Sequence, residues 1–253
     1  MRTRRACHAL LHALVLTSAA FFGQHVAAAA QPVSDSTASN EEAAPRAAAK
    51  QGLITLARRL ASHPQASSAP RIMAVSNDTD LQRASIGYGF QVNLLDPRTL
   101  LSGGSLAASA HASGEWRFVV MLDGQPVGLI TVAQMRNHWQ MVSAGASKLA
   151  RDIMLVVSRY ADRTPAVPLR FMRSLQGVAD FIEVGSPAPG TPGTPAYIDL
   201  STVREALQQT PGTPRTAALD LQPLPESQLM PALRANVRRG MLTPRFTHQE
   251  IPQ

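Results

Sequence analysis

The sequence predicts an α+β fold: a single small domain in which a curved antiparallel sheet packs on one long helix, with disordered or Pro/Gly-rich flanks. Three observations predict it. Residues 86–94, "IGYGFQVNL", alternate apolar with small or polar side chains, and an Asp-Gly dipeptide joins two further alternating arms in "WRFVVMLDGQPVGLITV". Shortly afterwards "SAGASKLARDIMLVVSRYAD" changes the apolar spacing from two to that of a helix. A sheet and a helix each with one apolar side bury those sides by stacking as layers.

At the N-terminus Arg2, Arg4 and Arg5 precede an apolar stretch from Ala9 to Phe22, and small residues run from Val26 to Ala30. Basic, apolar and small regions in that order are the layout of a secretory signal peptide, so residues 1–30 are expected to be removed. The stretch is interrupted by His12 and ends at Gly23, Gln24 and His25. It falls short of the roughly 20 apolar residues of a membrane-spanning helix. Arg4 and Arg5 invite a twin-arginine reading, but Cys7 and His8 stand where an apolar pair would strengthen it. The expectation is export by the general secretory route to the periplasm or the exterior.

Cys7 is the one cysteine of the chain and lies inside that leader. The mature protein is therefore expected to carry no disulfide, thiol nucleophile or thiolate metal site. Burial alone must hold such a domain, which calls for a core of roughly 100 residues or more.

Residues 31–46 are mostly Ser, Thr, Ala, Asn, Glu and Pro with little to bury, and read as a disordered leader. Residues 47–70 read as an amphipathic helix and linker. Leu53, Leu56, Ala57 and Leu60 share a stripe, Arg58 and Arg59 lie off it, and "SHPQASSAP" breaks the pattern. The narrow stripe suits a helix packed on the domain, while its arginines leave peripheral membrane contact open.

The α+β domain is assigned to residues 71–210. "RIMAV" is a candidate strand, and Asn77 or Asp78 can cap a short helical turn in "NDTDLQRAS". Ile86, Tyr88, Phe90, Val92 and Leu94 then fall on one face of a strand, with Gly87, Gly89, Gln91 and Asn93 on a face expected to meet water. Asp96-Pro97 opens a turn. In the hairpin, Asp123-Gly124 provides the two positive φ angles that match strand twist, and Pro126 belongs at an edge because it cannot donate to a ladder. "HWQMV" follows the link "AQMRN" as a third strand. The long helix carries Leu149, Ile153, Val156, Val157 and Tyr160 on one stripe, with Ser143 or Ser147 as its cap. "VPLRFMRSLQGVADFIEVG" provides two more strands around a turn at Leu175–Gly177. A Pro/Gly loop at 186–196 and a strand entering a helix capped by Ser201 complete the domain. Residues 211–253 form a Pro-rich C-terminal extension with one short helix, "MPALRANVRRG", started by Pro231 and ended by Gly240.

Both faces of the hairpin are apolar. Trp116, Phe118, Val120 and Leu122 occupy one, Val119 and Met121 the other, and Ile130 and Val132 alternate against Leu129 on the return arm. Val119, Met121, Ile130 and Val132 are accordingly the candidate interaction face, to be covered by the long helix or by a partner.

No pattern of reactive groups emerges. The histidines beyond the leader, His63, His111, His138 and His248, have no metal-ligand spacing, so no metal site and no cofactor are expected. Around Ser147, "GASKL" lacks the last glycine of a nucleophile elbow, and neither Lys50 nor Lys148 follows a serine at penicillin-binding spacing. Asp180 and Glu183 are three residues apart and point to opposite faces of a strand. The chain carries +7, but without the three leader arginines there are 21 basic against 17 acidic residues. Scattered arginines and few aromatics disfavour nucleic acid as a partner. What remains is an exported, bacterial-type binding or accessory module with no recognisable catalytic site, acting through an envelope protein partner. The alternative is an exported hydrolase with an unrecognised polar site.

Mass spectrometry of the exported chain is expected to find its N-terminus just after Ala28 or Ala30; a mature form that retains Arg2–Arg5 would contradict the leader assignment.

Overall fold

The alternation at 86–94 and the arms around Asp123-Gly124 build the centre of one sheet. The computed structural model describes residues 34–62, 72–162, 167–185, 195–201 and 221–243. Their strands are β1 (Ser85–Leu95), β2 (Ala110–Leu122), β3 (Gln125–Met135), β4 (His138–Gly145), β5 (Leu169–Ser174), β6 (Ala179–Val184), β7 (Ala196–Asp199) and β8 (Leu224–Pro225). They form an eight-stranded sheet in the order β4-β3-β2-β1-β5-β6-β7-β8. The helices are α1 (Ser34–Ser62), α2 (Pro97–Leu101), α3 (Leu106–Ser109), α4 (Ser147–Tyr160) and α5 (Glu226–Leu242), with a 3-10 helix at Asp78–Arg83. The fold is α+β with a mostly antiparallel sheet, as expected. The junction of β1 with β5 is parallel and spans three residue pairs, Val92 to Phe171, Asn93 to Met172 and Leu94 to Arg173. Asn93 Nδ2 reinforces it by donating to Phe171 O at 3.0 Å.

Two-residue turns set the β2–β3–β4 meander. Asp123 and Gly124 have φ of 49° and 76°, and Arg136 and Asn137 have φ of 50° and 65°. Pairs of positive φ match the right-handed twist of the strands they join. The expected link "AQMRN" is thus a strand end plus a tight turn, with Asn137 as its left-handed-tolerant member.

The register beyond Asp123-Gly124 corrects the expected interaction face. A regular ladder would place Ile130 and Val132 beside Val119 and Met121. Instead Met121 faces Pro126 and Val120 faces Gly128, which leaves Val127 as an extra residue, a β-bulge. One inserted residue reverses the parity of everything that follows it. Phe118 therefore faces Ile130 and Val119 faces Leu129. Pro126, lacking an N–H, sits beside the interruption, and the Val127 carbonyl accepts from Ala74 N at 2.8 Å. That bond belongs to the segment expected as the strand "RIMAV". Residues 72–74 form bends and Val75 is irregular, so no strand forms there, and Met73 and Val75 are buried.

The two faces of the sheet carry different helices. Val119 and Leu129 pack with Phe90, Val92 and Phe171 against Leu149, Ile153, Val156 and Val157 of α4. Phe118, Val120, Ile130 and Val132 pack with Leu53, Leu56 and Ala57 of α1. Val119, Ile130 and Val132 are fully buried, so the four candidate residues form no single face and three of them are core. A second bulge lies between Ile86 and Gly89. It sends Ile86 to the α1 side while Tyr88, Phe90 and Leu94 stay on the α4 side.

α1 begins at Ser34, so residues 34–46, expected as disordered leader, are helical. Ala43, Ala44 and the run Ala47 to Ala49 favour a helix, Arg46 pairs with Glu42 one turn back, and the Arg46 guanidinium lies over the Phe118 ring at 5.1 Å. Two glycines admit the helix. A Cβ on Gly52 would lie 2.6 Å from Met141 Cβ, and one on Gly89 would overlap the Phe118 ring and the Glu42 carboxylate. Gly89, on the face of β1 expected to meet water, meets α1 instead, while Gly87 lies against Met121 of β2.

α4 starts after Ala146, at φ 54° and ψ 44°, without a side-chain cap, so neither Ser143 nor Ser147 caps it. Asp96 does cap α2, accepting from Thr99 N at 2.8 Å and Thr99 Oγ1 at 2.6 Å. The other half of the sheet carries a third cluster, in which Met172, Phe181 and Tyr197 meet Leu100, Leu106, Leu229 and Leu233. Leu106 N donates to Glu226 Oε1 at 2.9 Å and Arg234 Nε to Leu100 O at 2.8 Å, tying α5 to α2 and α3. α5 is longer than expected at both ends. Gly240 lies inside it, against the Gln176 carbonyl, rather than past its end. The Pro/Gly loop at 186–194, the helix beyond Ser201 and the repeat at 210–214 lie outside the described residues.

Ile130→Ala is expected to cost about 2–5 kcal/mol in urea denaturation, the range for a large aliphatic removed from a packed core. Tyr197 gives a pH signature. Its ring is fully buried, its hydroxyl has no partner among the described residues, and burial pushes its pKa up to about 12. An unfolded phenol titrates near 10. Between pH 10 and 12 the unfolded chain has released a proton that the folded one keeps, so stability falls as pH rises through that window. Tyr197→Phe is expected to reduce that fall relative to the unmodified chain and to leave stability at pH 7 no lower, as read by thermal melts.

Candidate functional site

Both tryptophans of the chain, Trp116 and Trp139, line one cleft of about 610 Å³ at the N-terminal end of α1. The ladder puts them there. Trp116 of β2 lies between Gln91 of β1 and Val132 of β3, and Trp139 of β4 lies beside Gln134 of β3. These side chains share the face on which α1 rests, and Glu41 of α1 closes one side of the cleft. Each indole is half-buried against the α1 cluster and stays in part open to the cleft. Trp116 also stacks on Phe118 at 6.2 Å between centroids and 16° between planes, which fixes its ring.

Around the indoles stand Gln91 and Gln134, each both donor and acceptor, together with Ser113 and the Glu41 carboxylate. Among the described residues no lysine or arginine lines the cleft. Strand alternation turns Glu115 and Ala133 away from the tryptophans, so they border the cleft through backbone. The Glu115 carboxylate sits 3.9 Å from Arg117.

Arg117 belongs to a charge cluster on the α4 face. Arg173 holds Asp180 in a two-point bond at 2.6 and 2.8 Å and stacks over Phe171 at 5.9 Å. Asp180 raises the Arg173 pKa by that bond. Burial, and then the charge of Arg173, lowers the pKa of Arg117, whose Nε is buried without a partner among the described residues. Asp180 is thus a structural counter-ion. Glu183 pairs with Arg170 on the opposite face.

The remaining sequence candidates do not converge. His111 is exposed on β2, His138 is exposed at the start of β4, and Ser147 is the first residue of α4. His63 and His248 lie outside the described residues. Among the described residues no three His, Cys, Asp or Glu side chains come together as metal ligands, and no helix is long and apolar enough to cross a membrane. Comparison with protein-family models, curated proteins and solved structures finds no match.

The sequence reading did not single out Gln91, Gln134, Glu41 or the pairing of the tryptophans. The available signal was that the chain spends its two tryptophans on neighbouring parts of one meander. Placing them on the same face required the bulge at Val127, which no residue pattern marks.

Proposed function

We propose that the chain is a binding module that holds a saccharide in the Trp116–Trp139 cleft. The observation that carries this reading is the convergence of both tryptophans with two amides, a hydroxyl and one carboxylate. A pyranose ring has an apolar C–H face and an equator of hydroxyls that both donate and accept. Flat aromatic faces cover the first, and glutamine, serine and carboxylate groups match the second. The cleft's open shape suits a ring within a chain. Export, suggested by the basic, apolar and small-residue leader, would bring the module to the cell envelope or beyond. Binding rather than catalysis is also favoured by the engagement of Asp180 and Glu183 in cross-strand ion pairs.

The two tryptophans are the only indoles, so intrinsic emission reports this cleft alone. A panel of neutral and amino-sugar oligosaccharides is expected to contain a ligand that shifts that emission. Gln134→Ala, at an exposed position, is expected to weaken its binding about tenfold, or 1.4 kcal/mol, with the fold retained by circular dichroism. Emission unmoved by every member of the panel would remove the reading, and release of new reducing ends would replace it with hydrolysis.

A further inference from the structure

On another flank of α1 lies a second concavity of about 560 Å³, between this helix and the segment that runs from the 3-10 helix into β1. Its floor is apolar: Leu53, Ala57 and Leu81 are buried there, and Ile86 closes the far wall. Ile54, on the helix side, keeps 44% of its surface exposed, a large aliphatic side chain held open to the groove.

The rim is cationic. Lys50 and Arg58 line the groove from the same side of α1, about 12 Å apart by helical rise, with Ile54 between them. Among the described residues no acidic side chain lines the groove, and the neighbouring carboxylates of Asp80 and Asp123 are taken by Arg83. An apolar trough with a cation at each end, neither of them ion-paired among the described residues, complements one kind of ligand, a molecule with a hydrocarbon body and an anionic head. The volume lies within the range of small-molecule sites.

We infer that this groove binds a single-chain amphiphilic acid, its chain along Leu53, Ile54, Ala57 and Leu81 and its head group at Lys50 or Arg58. The site is separate from the tryptophan cleft. Both are bordered by α1 and β1, but they have no lining residue in common and neither tryptophan lines the groove.

The test uses the full chain with dansyl-undecanoate as a fluorescent probe and palmitate, below its micellar concentration, as competitor. Saturable binding displaced by palmitate is expected, with the uncharged alcohol of equal chain length at least tenfold weaker. Ile54→Glu places a like charge in the trough from an exposed position and is expected to weaken probe binding more than tenfold. Lys50→Ala with Arg58→Ala is expected to remove the preference for the acid over the alcohol. Gln134→Ala, in the other cleft, is expected to weaken saccharide binding while leaving probe and palmitate binding as they were, so failure here and failure of the saccharide reading are distinguishable. Non-saturable uptake, equal binding of acid and alcohol, or binding untouched by Ile54→Glu in a folded chain would each overturn the inference. So would binding only to phospholipid vesicles and not to the free acid.

Discussion

Because Val127 is an extra residue between two ladder positions, the side chains of β3 change faces relative to those of β2. Phe118, Val120, Ile130 and Val132 are delivered to α1, while Val119 and Leu129 are delivered to α4. A regular hairpin would put the return-arm aliphatics with the opposite set and leave each helix a mixed surface. The insertion costs a ladder interruption, offset by Pro126, which has no N–H to lose there, and by Ala74, which takes the freed carbonyl. Sheet and helices therefore share one requirement, that the parity of β3 be reversed just after the turn.

α1 follows from the same arrangement. Given an apolar face on β2 and β3, the helix approaches closely because Gly52 and Gly89 remove the side chains that would hold it off. Its N-terminal end comes to rest beside the tryptophans and its middle beside the 3-10 helix, and both concavities are the spaces left along its flanks. The chemistry of each then depends on what the sequence puts at the rim: amides, a hydroxyl and a carboxylate at one, a lysine and an arginine at the other.

Much of the sheet was legible from the residues. Alternation located β1, Asp123-Gly124 located the first hairpin, and the helical stripe from Leu149 to Tyr160 located α4 and its buried side. Three features were hidden for identifiable reasons. Residues 34–46, mostly small and polar, have little to bury and resemble a disordered leader, and the docking of Arg46 on Phe118 and Ile86 shows what holds them. Bulges leave no mark in a period-two pattern, so the sorting of Val119 from Ile130 could not be foreseen. Glycines on a strand are ambiguous between solvent and close approach, and Gly89 belongs to the second kind because a distant helix lies on it. The cleft depends on all three, which is why its residues were not grouped in advance.

The parallel joint between β1 and β5 bears on how the chain becomes a fold. β1 finds β2 through a local connection, but its other edge receives β5 only after the whole meander and α4 have been made. Until then β1 is an exposed strand edge flanked by apolar residues, a template for pairing with another chain, and closing it requires a contact distant in sequence, which is slow. Emerging N-terminus first, the polypeptide passes through a stage in which half the sheet is built and its central strand is still a border. The longer that border stays open, the longer its unpaired backbone is offered to another chain.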